Sequence, residues 1–157
     1  MTALPSGISL RPAVPDDLEA VVALKAEVLS ADLDRLVGWS PERSRERVIA
    51  HFSPGDTRMI LEDGVVIGTV TLRPEDGELW LEMFYLTAAR QGSGIGSAVL
   101  VALLAEVPAS LTVRLQVLVG SAARGLYERH GFVAEEDDGV DVWMRRPPTG
   151  SSSVGTD

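Results

Sequence analysis

Leu86-Thr87-Ala88-Ala89-Arg90-Gln91-Gly92-Ser93-Gly94-Ile95-Gly96-Ser97-Ala98-Val99-Leu100 is the stretch on which the reading of this chain turns. Before it, Trp80 to Leu86 forms an apolar run of β type; after it, Ala98 to Ala105 is apolar and alanine-rich. A strand that passes through glycines into a helix leaves the first helical N–H groups without partners. Those donors, with the positive end of the helix dipole, make a ready anion site. Glycine lets phosphate oxygens come close to the backbone. The turn is therefore expected to hold a phosphate or pyrophosphate on the amides of Gly92, Ser93, Gly94, Ile95, Gly96 and Ser97.

Two familiar phosphate motifs do not fit. A P-loop requires Lys after its last glycine, and Ser97 follows Gly96. A dinucleotide fingerprint counted from Gly92 and Gly94 places its third glycine at Ser97. The pattern present is Gln-x-x-Gly-x-Gly, made by Gln91, Gly94 and Gly96 behind Arg90. A second segment lies downstream: Ala123, Leu126, Tyr127, Gly131 and Phe132, in Ala-x-x-Leu-Tyr-x-x-x-Gly-Phe spacing. Together and in this order the two segments resemble the acetyl-CoA motif and the later Asn-x-x-Ala-x-x-Leu-Tyr-x-x-x-Gly-Phe motif of the GNAT superfamily of N-acetyltransferases. The resemblance extends over roughly residues 7–146. It departs from the pattern at Gly120, where the motif has Asn; the chain contains no Asn at all. Ser121 is the substitute cap expected for the following helix.

Composition sets the frame. A chain of 157 residues with 45% hydrophobic content suits one domain with a sizeable core. The expected division is a single N-acetyltransferase domain over 1–146 and a Pro-, Gly- and Ser-rich flexible tail over 147–157. The apolar runs are much shorter than the roughly 20 residues a membrane helix needs. No basic-then-apolar leader opens the sequence. Cysteine is absent, which leaves no thiol chemistry and no thiolate metal site. A cytoplasmic protein without a metal is expected. The net charge of −9 disfavours nucleic acid as a partner and would steer a cationic acceptor inward, although solubility alone accounts for it as readily. Thirteen of the 14 basic residues are Arg, with Lys25 the exception.

Periodicity and turn chemistry give the element order. Ile8–Val14 reads as a strand. A helix begins at Asp17 with Asp16 as its cap and Glu19 completing a capping box, and Leu18, Val21, Val22, Leu24 and Val28 form its apolar face. Ser40-Pro41 starts a second helix running to about His51. Thr57–Leu61, Val65–Leu72 and Glu78–Leu86 read as strands joined at Asp63-Gly64 and Pro74–Gly77. Strict alternation puts Glu78, Trp80, Glu82 and Phe84 on one face of the third, and Leu79, Leu81, Met83 and Tyr85 on the other. Thr112–Val119 is a strand, Ser121–His130 a helix, and Phe132–Glu136 with Val140–Arg145 a closing hairpin. The order β-α-α-β-β-β-α-β-α-β-β combines hairpins with one crossover, so the sheet is mixed. The resemblance implies the GNAT fold: α/β (α+β), a mostly antiparallel sheet of about seven strands flanked by four helices.

The resemblance also implies a reaction. An amine attacks the thioester of acetyl-CoA directly, and the CoA thiolate leaves. An amine of pKa near 10 is largely protonated at neutral pH, so a base has a task. Gln91 would open the pyrophosphate loop, and Gly120 and Ala123 would lie beside the cofactor. The backbone of Phe84, Tyr85 and Leu86 would pair with the pantetheine arm and polarise the thioester carbonyl. Tyr127 matches the tyrosine that commonly lies near the sulfur, as general acid, unless it only packs and anchors in the core. Glu82 is the candidate base, through a water; the alternative is an edge or solvent-facing carboxylate. His51 and His130 are weaker candidates, each more simply a helix-end residue. The acceptor would lie among the residues around Leu29–Gly38, Trp39 and Trp143, where aromatic rings suit an ammonium. A branch of the superfamily that acetylates peptide N-termini carries Glu where this chain has Leu115. The leading expectation is an N-acetyltransferase acting on the primary amine of a small molecule. A protein or peptide acetyltransferase and a non-catalytic acyl-CoA sensor are the alternatives, and homodimerisation is open.

Overall fold

The computed structural model describes residues 3–149. Its elements are β1 (Ile8–Pro12), α1 (Leu18–Val37), α2 (Pro41–His51), β2 (Thr57–Glu62), β3 (Val65–Glu75), β4 (Glu78–Leu86), α3 (Ile95–Glu106), β5 (Val113–Leu118), α4 (Ala123–Arg129), β6 (Val133–Asp137) and β7 (Asp141–Arg146). The strands form one sheet in the order β1-β2-β3-β4-β5-β7-β6. Every adjacent pair is antiparallel except β4 and β5, which α3 joins by a crossover. The tail expected over 147–157 lies outside the described residues from 150 onward. At its start the Thr149 N–H donates to the Ala109 carbonyl at 2.8 Å.

Two hydrophobic cores lie on opposite faces of this sheet. On one face α3 and α4 bury Val99, Leu100, Leu103, Tyr127 and Phe132 against Ile60, Val70, Leu81, Val113, Leu115 and Met144. On the other, Val21 of α1 and Val48 of α2 pack with Ala13 and Met59, with Met83 and Tyr85 against them. α3 is apolar on nearly all sides because it is the crossover helix under the centre of the sheet.

The start of α1 departs from the expected capping. Pro15–Asp17 forms a 3-10 turn, and Asp17 precedes the helix. The Asp17 carboxylate accepts from the Val14 N–H at 2.8 Å and from both terminal nitrogens of Arg11, at 2.8 and 2.9 Å. The carboxylate thus reaches back along the chain, and neither Asp16 nor Glu19 forms the expected box; Glu19 pairs with Arg45. α1 runs unbroken to Val37, so most of the expected acceptor region around Leu29–Gly38 is helical, and it stops at Gly38. α2 begins as expected: the Ser40 hydroxyl accepts from the Arg43 N–H at 3.2 Å, with Pro41 in the first turn.

The alternation expected for β4 fails at one residue. Thr71 pairs with Glu82 and Thr69 with Tyr85, so Met83 and Phe84 together oppose Val70. This is a β-bulge, and Met83 sits at φ +47°, which a non-glycine residue seldom adopts. The extra residue flips the parity of the strand. Leu79 and Leu81 face the α3–α4 core, and so do Phe84 and Leu86, whereas Met83 and Tyr85 face α1 and α2. Phe84 therefore does not share a face with Trp80 and Glu82.

Candidate functional site

The bulge coincides with a gap in the sheet. β4 and β5 pair only at Leu79–Val113 and Trp80–Arg114. Beyond these the two strands part, and the ladder carries no partner for β4 from Leu81 to Leu86. A bulge leaves its extra residue outside the ladder, so the backbone of Met83–Tyr85 has hydrogen-bonding groups to offer in the middle of the sheet. Past Leu86 the strand leads directly into the glycine turn.

The turn itself is built as a cradle. Ala88–Arg90 makes one 3-10 turn, and Gly94, left-handed at φ +89°, starts α3. No side chain caps this helix, so its leading N–H groups are uncovered. A Cβ on Gly92 or Gly94 would meet nothing within 4 Å, so the concavity is open toward solvent. Gln91 does not point outward: its amide nitrogen donates to the Leu86 carbonyl at 2.9 Å, tying the turn to the end of β4. Arg90 is held by Glu62 at 2.6 Å. Ile95 is buried in the core beneath the turn.

Tyr127 enters from α4. Its ring meets Phe132 edge-on, centroids 5.8 Å apart. It is 7% exposed, and burial, the one influence acting on it, pushes its phenol well above the ordinary range. Tyr85 lies on the opposite face of the sheet. Burial pushes the Tyr85 phenol up as well; Glu82 and Tyr127 add to the effect and Arg47 opposes it.

Glu82 is half-buried on the stretch of β4 that has no partner on the β5 side. Its two oxygens accept from Arg73 Nε at 2.9 Å and Nη2 at 3.1 Å, a forked pair across the β3–β4 ladder. Arg73 is held above the ordinary guanidinium range by Glu82 first and Glu75 second.

The last motif shows why its first position is glycine here. Gly120 is left-handed at φ +81°, and a Cβ there would stand 3.1 Å from Arg35 Nη2. Arg35, from α1, donates to the Val119 carbonyl at 2.6 Å. The guanidinium occupies the space a side chain at 120 would need. Ser121 is not the cap expected: Ala122 precedes the helix and no side chain caps it, while the Ser121 hydroxyl accepts from the Ala123 N–H at 3.1 Å one residue further back; Ala123 packs on the core edge. His130 is not a free helix end. Its Nδ1–H donates to the Leu126 carbonyl at 2.8 Å, and Nε2 stands 3.2 Å from the Ser97 hydroxyl. α3 and α4 are thereby tied together beside the turn. His51 is exposed at the end of α2. Trp39 and Trp143 are both half-buried, the first just past α1 and the second on β7 opposite Gln116.

Several residues here carry no sequence signal. Glu27 of α1 accepts from the Thr87 hydroxyl at 2.7 Å and the Ala88 N–H at 2.6 Å, anchoring the front of the glycine turn. Arg35, Arg73 and Arg47 likewise act from positions that no motif marks. Among the described residues, no group of three or more His, Asp or Glu is placed to hold a metal ion, and no helix is long and apolar enough to cross a membrane.

Known proteins place this architecture. The PaiA N-acetyltransferase of Thermoplasma acidophilum, solved in complex with coenzyme A, superposes with a TM-score of 0.69 at 20% identity, over 89% of this chain and 98% of that one. An acetyltransferase of Thermus thermophilus gives 0.67 at 19%, over 94% and 99%. A longer Pyrococcus horikoshii protein gives 0.63 at 22% over 85% of this chain, which spans 46% of its length. At such identities the likeness is one of fold. No curated protein sequence matches. The model of the acetyltransferase (GNAT) family matches residues 26–132, from the middle of α1 through the glycine turn to Phe132, and with more than half of its length so matched the chain belongs to the GNAT family.

Proposed function

We propose that this protein is an acetyl-CoA-dependent N-acetyltransferase that transfers the acetyl group to the primary amine of a small molecule. The observation that carries the reading is the opening of the sheet between β4 and β5, which ends at an uncapped helix behind a glycine cradle. The two features together suit a long ligand with a diphosphate at one end and amides along its arm.

Bound acetyl-CoA supplies an activated acyl thioester. The amides of residues 92–97 take its diphosphate. The backbone around the Met83 bulge orients the arm and offers a donor to the thioester oxygen as negative charge develops there, usually a large contribution to catalysis. Tyr127 is kept protonated by its burial. That makes it a dependable hydrogen-bond donor to the departing sulfur, and the source of its proton as the C–S bond breaks. Glu82 is the acceptor for the proton the ammonium loses, through a water. One lone pair on each oxygen is taken by Arg73, which fixes the carboxylate's orientation and leaves the remaining lone pairs for that water. Trp143 and Tyr85 lie on the same face as Glu82 and line the amine's approach.

The test is thiol release from acetyl-CoA over a panel of amines, with Tyr127→Phe beside the wild type. Turnover that falls about 10²–10⁴-fold in kcat in the variant, with acetyl-CoA affinity retained, supports the assignment. Tight acetyl-CoA binding with no turnover on any amine favours the sensor alternative. Absence of acetyl-CoA binding overturns the reading of the glycine turn.

A further inference from the structure

Lys25, the chain's only lysine, is 7% exposed in the seam between α1 and α2. Its ammonium donates to the Ser44 carbonyl at 3.3 Å. No acid compensates it: burial first, then the neighbouring Arg47, lowers its basicity, and nothing opposes them. Ser44 is itself 6% exposed, and its hydroxyl is the buried side-chain polar atom without a partner among the described residues. Arg47 stands one helical turn beyond Ser44 on α2, exposed, and forms no salt bridge among the described residues.

A buried ammonium and an orphaned hydroxyl therefore lie in the α1–α2 seam, with the Arg47 cation one turn along α2, and the Val21 and Val48 of these helices pack on the face of the sheet that carries Met83 and Tyr85. A buried ammonium without a counter-ion is costly, and so is a buried hydroxyl without a partner. An oxyanion placed among them would remove both costs. The overall charge of −9 repels anions elsewhere on the molecule, so such a local site would be selective.

We propose that the α1–α2 seam is an anion subsite, in which Lys25, Ser44 and Arg47 hold the carboxylate or phosphate of an acceptor whose amine lies at the β4–β5 opening. The inference rests on the transferase reading and narrows it: the acceptor is an amine that also carries an oxyanion.

The experiment compares kcat/KM for thiol release on matched acceptors. Glycine, β-alanine and γ-aminobutyrate are each set against the alkylamine of the same chain length, and phosphoethanolamine against ethanolamine. The expected wild-type result is a preference of about ten-fold or more for the charged member of at least one pair; which pair shows it separates carboxylate from phosphate. Lys25→Met, similar in volume, and Arg47→Gln, on the surface, should each shrink that ratio toward one. A wild-type ratio near one with turnover on plain amines overturns the subsite, as does a ratio that neither variant changes. Should Lys25→Met not fold, Arg47→Gln carries the test alone. Calorimetric titration of γ-aminobutyrate and phosphoethanolamine into the CoA-bound protein reads the subsite without turnover. Binding that Arg47→Gln weakens supports it, and no binding overturns it. Failure of the transferase reading is a separate result, seen as loss of acetyl-CoA binding itself.

Discussion

Gly68 is the residue whose replacement by alanine most directly tests the account of the bulge. It sits on β3 opposite Leu86, beside the point where β4 carries its extra residue. A Cβ at this position would lie 2.4 Å from the Tyr85 carbonyl oxygen and 3.2 Å from Ile60 Cδ1 and Leu86 Cδ1. Ordinary contact begins at 3.4 Å, so β3 and β4 must separate by about 1 Å at the Tyr85 peptide. The obstruction is backbone, which a rotamer change cannot relieve. Overpacking of this kind costs about 1–3 kcal/mol, a fall in Tm of roughly 2–12 °C for a chain of this size. The same displacement moves the backbone that would face the thioester. A misplacement of about 1 Å is worth on the order of 10² in rate. Differential scanning calorimetry and thiol release, run on Gly68→Ala and wild type, measure the two effects separately. A variant that melts within a degree of wild type, or melts lower yet acetylates at the wild-type rate, refutes the link between this strand pairing and the site.

Other expectations follow from single contacts. Glu27→Ala removes the acceptor for Thr87 and Ala88, and at about 1 kcal/mol per net hydrogen bond it should weaken acetyl-CoA binding roughly five-fold or more; Glu27→Gln, which keeps one acceptor, should lose less in the same titration. Thr57 and Thr71 share a buried hydroxyl contact of 2.7 Å. Thr57→Val alone should cost about 1–3 kcal/mol by stranding Thr71, while Thr57→Val with Thr71→Val should recover most of it in urea unfolding. Arg11, then the Val14 N–H, hold the Asp17 carboxylate below the usual carboxylate range. Its stabilisation is therefore complete above the unfolded value of about 3.9 and is lost as pH falls through the lower folded value. Asp17→Asn should cost about 1–2 kcal/mol near neutrality, and the difference from wild type should narrow in melts taken at progressively acid pH.

Most of the fold was legible because its signals are local. Ser40-Pro41, Asp63-Gly64 and the glycine turn each state an element boundary in a few residues, and the observed boundaries fall within one to three residues of the expected ones. The parity of β4 was not legible. Glu82, Met83, Phe84 and Tyr85 read as unbroken alternation, and the extra residue exists only relative to Val70 on the neighbouring strand. The start of α1 was not legible in the same way: no side chain caps it, because Asp17, the residue before Leu18, turns its carboxylate back to the Val14 N–H and to Arg11 on β1. Glu82 drew notice as a carboxylate in an apolar strand, but its partner Arg73 lies on another strand and no spacing rule links them. Glu27 and Arg35 were invisible for the same reason: each reaches from α1 to a loop 60 or more residues away. Gly120, by contrast, was visible as a departure, and Arg35 supplies its explanation.

The short ladder between β4 and β5 has a mechanical meaning. Two residue pairs are all that stitch β1–β4 to β5–β7, although one apolar core runs beneath both halves. Hydrogen bonds fix distance and register; apolar contact tolerates sliding. The molecule is thus two wings on a narrow hinge over a shared, yielding floor. A ligand that engages the loose margin of β4 and the end of α3 becomes a splint across that hinge. At 100 times its dissociation constant such a ligand adds about 2.7 kcal/mol to stability. Slowed amide exchange along the hinge strands, and not in the outer hairpins, would register where that added rigidity is spent.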